Sequence, residues 1–95
     1  MTMTREDFKV YLLTSTNIPE YMHHGLELYV YDHIQPGGFL EAILCNNLVE
    51  AAGRADIYNK QCLPEYAKLL ENAVPSECYG SKEKYINWLK KRVKK

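Results

Sequence analysis

Three histidines and an aspartate are the side chains of this sequence that could bind a metal ion. His23, His24 and His33, together with Asp32, offer nitrogen and oxygen atoms of the kind that first-row metals accept. Adjacent residues on a helix point about 100° apart, so His23 and His24 cannot both face one ion. An exposed helix edge explains the pair better, and we expect neither a metal nor another cofactor.

The three cysteines could supply a thiol nucleophile activated by a histidine base. Cys45, Cys62 and Cys78 are odd in number and form no Cys-x-x-Cys pair, which argues against a disulfide framework or a structural zinc site. Two of them fall on apolar helical stripes, where cysteine behaves as a small hydrophobic residue. We therefore predict no catalytic residues and no enzyme activity, with a small enzyme of unrecognised type as an alternative.

The segment Pro36-Gly37-Gly38 precedes a predicted helix and could hold an anion. Glycines leave backbone N–H groups accessible beside the positive end of a helix, where phosphates and carboxylates bind. The segment lacks the lysine and hydroxyl of a nucleotide-hydrolysing loop. An arginine could add a bidentate contact and a tyrosine could stack on a base, whereas the alternative is a simple turn between helices. The candidate ligand-binding residues are Gly37, Gly38, Arg54, Tyr31 and Tyr79.

An unusual number of polar residues falls on the predicted central helix. Glu50 and Arg54 are four residues apart and can form an ion pair on a solvated face. A polar residue on the semi-buried side of the helix needs a hydrogen-bond partner. Hydrogen bonds between helices and a binding surface both account for this polar face, and the pattern favours neither. The residues of the face are Asn46, Asn47, Asp56 and Asn59.

The sequence contains eight tyrosines, and the formal charges of its twelve basic and twelve acidic residues cancel. Five of the basic residues lie in positions 90–95, which leaves seven against twelve acidic residues, a net charge of −5, in positions 1–89. A basic tail complements a helix C-terminus or contacts a phosphate-rich partner. The acidic body argues against a dedicated DNA-binding face. Tyrosines in excess of a small core favour interfaces, so we expect a homo-oligomer, a dimer or larger.

The periodicity of the apolar residues predicts a small bundle of four to five helices in one all-α domain. A first helix is expected at about 5–14 with Thr4 as its N-cap, a second from Pro19, and a last one capped by Ser81. No apolar run approaches the ~20 residues of a membrane span, and charges near the start argue against a signal peptide. With free thiols, these features lead us to expect a cytoplasmic protein without membrane contact.

A long central helix is the main predicted element. Its apolar stripe runs from Phe39 to Leu70, after the turn at 35–38. Pro64 lacks a backbone N–H and clashes with the preceding turn, so it is expected to kink or split this helix near Gln61. The predicted parts of the domain are an N-terminal helix and linker at 1–17, a core region at 18–90 and a basic tail at 90–95.

Short motifs spread over residues 18–90 form a combined pattern. They are Tyr29-Val30, Pro36-Gly37-Gly38-Phe39-Leu40, Leu44-x-Asn46-Asn47-Leu48, Ala52, Ala55-Asp56, Asn59, Pro75, Gly80-Ser81 and Trp88. This combination resembles a family of small proteins encoded by tailed bacteriophages and prophages. In that family an aspartate commonly follows the first asparagine, where this chain has Asn47, and aromatic residues often precede the Gly-Ser pair, where it has Tyr79. The resemblance implies a phage origin and no particular activity.

The sequence therefore leads us to expect a non-enzymatic phage accessory protein that acts by binding in the infected bacterial cell, in host takeover or counter-defence. In one form it is an oligomeric sponge that sequesters a nucleotide immune signal, a small phosphate-bearing ligand, through the glycines and Arg54. In the alternative form it is an inhibitor that docks a helical face onto a host protein.

Overall fold

A computed structural model describes residues 3–92 of the chain, and every regular element within that range is helical. The all-α class is thus confirmed, but seven α-helices and two 3-10 helices stand in place of the four to five helices predicted. The α-helices are α1 at Arg5–Ser15, α2 at His23–Asp32, α3 at Gly38–Leu44, α4 at Leu48–Arg54, α5 at Ile57–Gln61, α6 at Leu63–Ala73 and α7 at Lys82–Leu89. The 3-10 helices lie at Glu20–Met22 and Ser76–Cys78.

The helix starts predicted at Thr4 and Ser81 are confirmed. Thr4 Oγ1 accepts the N–H of Asp7 at 3.2 Å, and Ser81 Oγ accepts the N–H of Lys84 at 3.1 Å. Each hydroxyl satisfies one of the N–H groups that the first turn of a helix leaves without an internal partner. These two side chains therefore fix where α1 and α7 begin.

The prediction of a continuous central helix is wrong, because α3 to α6 occupy that stretch. Asn46 has a φ of 61°, a left-handed backbone conformation that asparagine tolerates better than most residues. Asn47 Oδ1 then accepts the N–H of Glu50 at 3.1 Å and starts α4, and Asp56 Oδ1 accepts the N–H of Asn59 at 2.8 Å and starts α5. At these positions side-chain caps thus replace the backbone hydrogen bonds of a continuous helix. Apolar periodicity does not reveal such a replacement.

Pro64 splits the stretch rather than kinking it. It is the second residue of α6, where its missing N–H would have no partner inside the helix. Cys62 separates the end of α5 from the start of α6. Of the two outcomes predicted for this proline, the split near Gln61 is the one observed.

The core joins α1, α2, α3, α6 and α7, and two buried hydrogen bonds cross it. The Tyr29 hydroxyl donates to the carbonyl oxygen of Cys78 at 2.7 Å, and the indole N–H of Trp88 donates to the carbonyl oxygen of Tyr29 at 2.8 Å. These bonds tie α2 to the second 3-10 helix and to α7. The largest fully buried side chains are Phe8, Leu12, Leu26, Tyr29, Leu44, Tyr66, Leu69 and Cys78.

Arg5 fastens α1 to α2. Its guanidinium donates to Glu27 and, through two N–H groups at 2.9 and 2.8 Å, to both carboxylate oxygens of Asp32. A bidentate bond of this kind favours the ionised acid, and it lowers the pKa of Asp32.

Part of the basic tail packs against the fold instead of extending from it. Lys91 Nζ lies 2.9 Å from Glu77 and 4.8 Å from the centre of the Trp88 ring. Residues 93–95 of the tail predicted at 90–95 lie outside the described residues, as do residues 1 and 2 of the N-terminal part.

We predict that Tyr29→Phe destabilises the fold whereas Tyr85→Phe does not. Losing the Tyr29 hydroxyl leaves the carbonyl of Cys78 without that donor in a buried place, a cost of about 1–3 kcal/mol. The Tyr85 hydroxyl is also buried but has no hydrogen-bond partner among the described residues, so its removal costs little or stabilises. Thermal unfolding should show the Tm of Tyr29→Phe at least about 4 °C lower. Equal Tm losses in both variants would contradict the assignment.

Candidate functional site

The predicted anion site corresponds to a cleft at the start of α3. Gly38 lies against the guanidinium of Arg54 from the end of α4. A Cβ at position 38 would collide with Arg54 Nη1 and would lie 3.5 Å from its Cδ, so a larger residue there would displace the end of the Arg54 side chain. The cleft has a volume of about 190 Å³, and its lining is Gly38, Glu41, Ala42, Cys45, Asn47, Glu50, Arg54 and Lys82. The structure thus brings two predicted residues together and adds a lysine that the sequence analysis missed.

The charges around this cleft are balanced. Arg54 Nε lies 3.0 Å and Nη2 2.8 Å from Glu50 Oε1, which is the ion pair predicted from their spacing. Lys82 adds a second cation and Glu41 a second carboxylate, so the formal charges of the lining cancel. An anion entering the cleft must therefore compete with Glu50 for Arg54. Both partners are half exposed, and such pairs are worth at most about 1 kcal/mol.

The other predicted ligand-binding residues lie elsewhere. Gly37 is exposed and does not line the cleft, and a Cβ there would have no atom within 4 Å. Tyr31 donates its hydroxyl to the carbonyl oxygen of Met3 at 2.7 Å and packs edge-on against Phe8, 5.5 Å between ring centres. Tyr79 is half-buried against the core. Neither tyrosine lines the cleft, so no aromatic ring stands beside Gly38 and Arg54 in its lining.

The four residues of the predicted polar face do not share one helix face. Asn46 ends α3 in its left-handed conformation, and Asn47 and Asp56 cap α4 and α5. Asn59 is 3% exposed and accepts a hydrogen bond from the Tyr66 hydroxyl at 2.7 Å, which joins α5 to α6. The sequence left two explanations of the polar face open. For Asn59, the explanation that applies is hydrogen bonding between helices.

Two of the three histidines and all three cysteines are held within the fold, whereas His24 is exposed. His33 Nδ1 lies 2.9 Å from the carbonyl oxygen of Trp88, and His23 Nε2 lies 2.9 Å from that of Ile18. Burial raises the pKa of all three thiols, for Cys78 to about 12, which keeps them protonated at neutral pH. Between residues 3 and 92, no group of three or more His, Cys, Asp or Glu side chains is arranged to hold a metal ion.

A second candidate site is an apolar surface on α4 and α5 that the sequence analysis missed. We define the α4–α5 surface as the side chains of Leu48, Val49, Ile57 and Tyr58. Their exposed fractions are 67%, 84%, 66% and 64%. The buried side chains of these helices are Ala51 in α4 and Asn59 in α5. Leu48 and Tyr58 fall within the apolar stripe that the sequence predicts from Phe39 to Leu70. The breaks at Asn47 and Asp56 rotate them out of it.

A groove containing Tyr58 lies at the edge of this surface. We name it the tyrosine groove. It has a volume of about 530 Å³, and its lining is Asn17, Pro19, Tyr21, Tyr58, Gln61 and Cys62. The hydroxyl of Tyr21 donates to Asp56 Oδ2, which raises the pKa of Tyr21 to about 12 and, with the Asn59 N–H, lowers the pKa of Asp56. The Cys62 thiol donates to the carbonyl oxygen of Asn17 at 3.2 Å.

None of the helices in residues 3–92 is both long and apolar enough to cross a bilayer. The longest of them, α1 and α6, have 11 residues each.

Comparisons of the chain with protein-family models, with curated proteins and with solved structures returned no match. The proposals below therefore depend on the surfaces of this chain and, for its origin, on the resemblance of its motifs.

We predict that Asp56→Asn makes the fold less sensitive to acid. The folded-state pKa of Asp56 is below its ordinary value of 3.8, so the unfolded chain takes up the proton first as the pH falls. The stabilisation is complete above that ordinary value and is lost as the pH drops through the folded-state pKa. Asparagine keeps the helix cap without ionising.

The measurement is the Tm between pH 6 and pH 2. The loss of Tm should be smaller in Asp56→Asn than in the unmodified chain. Glu83→Gln is the matched control, since Glu83 is exposed and has no ion pair or side-chain hydrogen bond within the described range. An unchanged acid profile in Asp56→Asn would show that the Asp56 carboxylate does not stabilise the fold.

Proposed function

We propose that the chain is a non-enzymatic phage accessory protein that acts in the infected bacterial cell by docking its α4–α5 surface onto another protein. The exposure of the four apolar side chains of this surface supports the proposal most directly. They lie within one short segment, between Leu48 and Tyr58, where each of the two helices leaves a pair of adjacent large apolar side chains exposed to solvent. The phage origin is carried by the resemblance of the motifs.

The energetics of α4 and α5 favour a docking role over a packing role. These helices have seven and five residues, too short to be stable without caps or tertiary contacts. Each contributes one buried side chain to the interior and turns its large apolar residues outward. Burying an apolar side chain of this size contributes roughly 1.5–3 kcal/mol of favourable free energy. Binding of a partner to this surface would therefore bury more apolar side chains of α4 and α5 than the fold itself does.

The surface is tested by placing a photo-crosslinking amino acid at position 49 and, as a control, at position 10. Val49 and Val10 are both exposed valines, but Val10 is on α1. In infected cells we expect an adduct with a host protein from position 49 alone, and its loss when Ile57→Glu is added. An adduct with a second copy alone would reassign the surface to the homo-oligomer. No adduct from position 49 would contradict docking.

Sequestration of a nucleotide signal is the second candidate function, and the cleft at Gly38 supports it. Arg54 and Lys82 reach the cleft from different helices, and the backbone at Gly38 is open to a ligand once Arg54 moves. We rank this function second because Glu41 and Glu50 balance the two cations, and because the aromatic residues expected to stack on a base lie elsewhere.

For this second function, Glu50→Gln should increase the affinity of the cleft for phosphate. It removes the carboxylate that competes for Arg54, and a surface pair of up to about 1 kcal/mol corresponds to an increase of up to about fivefold. The measurement is an NMR titration with a cyclic dinucleotide and with inorganic phosphate, following Gly38, Arg54 and Lys82. Glu83→Gln, which removes one charge outside the cleft lining, is the matched control. No chemical-shift change at any of the three residues at millimolar ligand would exclude this function.

A further inference from the structure

The lining of the tyrosine groove is aromatic and uncharged. Tyr21 and Tyr58 stand on different elements, the first 3-10 helix and α5, and both are more than 60% exposed. Pro19 adds a flat apolar contact, and none of the six lining residues is charged at neutral pH, since burial keeps the Cys62 thiol protonated. The groove is therefore suited to a ligand without charge at its centre.

One carboxylate positions both aromatic walls. Asp56 accepts the Tyr21 hydroxyl through Oδ2 and caps α5, the helix that carries Tyr58, through Oδ1. Two further lining residues are joined by a hydrogen bond, because the Cys62 thiol donates to the Asn17 carbonyl oxygen. The Tyr21 ring and the helix that carries Tyr58 are thus positioned before a ligand arrives, which lowers the entropy lost on binding.

The groove also presents hydrogen-bond donors that the fold does not use. The side-chain amides of Asn17 and Gln61 and the hydroxyl of Tyr58 have no hydrogen-bond partner within residues 3–92. A bound α-helix has no free backbone carbonyl oxygen along its length to accept from them. A polyproline II segment has all of its carbonyl oxygens free, and its flat rings pack on aromatic side chains.

The charges at the rim further select the ligand. Asp56 contacts Tyr21, and Glu65 Oε1 accepts the backbone N–H of Asn17 at 3.4 Å, so a carboxylate lies next to a lining residue on each side. A phosphate-bearing ligand is disfavoured, because no cation lines the groove and the Asp56 carboxylate repels it, whereas Glu65 is paired with Lys68 at 3.9 Å. A cationic residue beside the apolar part of the ligand is favoured for the same reason.

We propose that the tyrosine groove binds an extended, proline-rich segment of a partner protein, flanked by an arginine or lysine. This inference rests on the proposed docking function and refines it, because Tyr58 belongs both to the groove and to the α4–α5 surface. It names the chemistry of the partner: proline rings against the two tyrosines, carbonyl oxygens on the amides and a cation beside Asp56.

The test is an NMR titration of the full chain with a synthetic peptide of consecutive prolines ending in arginine. The control peptide replaces the prolines with glycine and serine. We expect shifts at Tyr21, Tyr58 and Gln61 with the proline peptide, and at least fivefold weaker binding by Tyr21→Ala. Tyr21→Phe, which keeps the ring but loses the bond to Asp56, should bind between the two, and Val10→Ala should bind like the unmodified chain.

Three results would overturn the inference: no shift at the groove with millimolar proline peptide, equal binding of the glycine-serine peptide, or full affinity in both Tyr21→Ala and Tyr58→Ala. Shifts at the groove with adenosine monophosphate and none with the peptide would also overturn it, by reassigning the groove to base stacking. The outcome is separable from the docking function, since Tyr21 and Gln61 lie outside the α4–α5 surface. Crosslinking at position 49 without peptide binding would leave docking intact and remove this inference alone.

Discussion

Two side-chain caps in the middle of the chain determine the architecture. Asn47 and Asp56 each accept a backbone N–H three residues ahead, so the chain starts a new helix at each of them. With the left-handed conformation of Asn46, they divide one apolar stripe into separate short helices. The cleft at Gly38, the α4–α5 surface and the tyrosine groove all follow, because each is formed or bordered by α4 or α5.

The sequence was most informative where one residue determines a local structure. Thr4, Ser81 and Pro64 were assigned correctly because a cap hydroxyl and a missing N–H act within a single turn. The breaks at Asn47 and Asp56 were not predicted, although both residues are good N-caps, because the apolar period continues across them. Periodicity reports which residues are apolar at a given spacing, and it does not report whether the backbone between them stays helical.

The candidate site was predicted in part for a similar reason. Gly38 and Arg54 were paired from their chemistry, and they meet because α3 and α4 fold against each other. Lys82 reaches the same cleft from α7, a contact between distant parts of the chain that no local pattern encodes. Tyr31 is a suitable residue type for stacking on a base, but its position could not be predicted from the sequence. Its hydroxyl donates to the carbonyl oxygen of Met3, just before α1, and the residue does not line the cleft. The apolar surface was missed in part because Leu48 and Tyr58 matched the predicted apolar stripe.

The cleft and the α4–α5 surface are linked through α4. This helix of seven residues has Asn47 at its start, Val49 on its exposed side and Arg54 at its end, where the pair with Glu50 spans one turn. A phosphate that takes Arg54 from Glu50 removes a contact that supports the helix, while a protein docked on Val49 gains from an ordered helix. Binding free energies at two such sites are coupled reciprocally, so occupation of the cleft should weaken docking, and docking should weaken occupation of the cleft by the same factor. The Glu50–Arg54 pair is worth at most about 1 kcal/mol, so each of the two proposed functions would weaken the other by up to about fivefold.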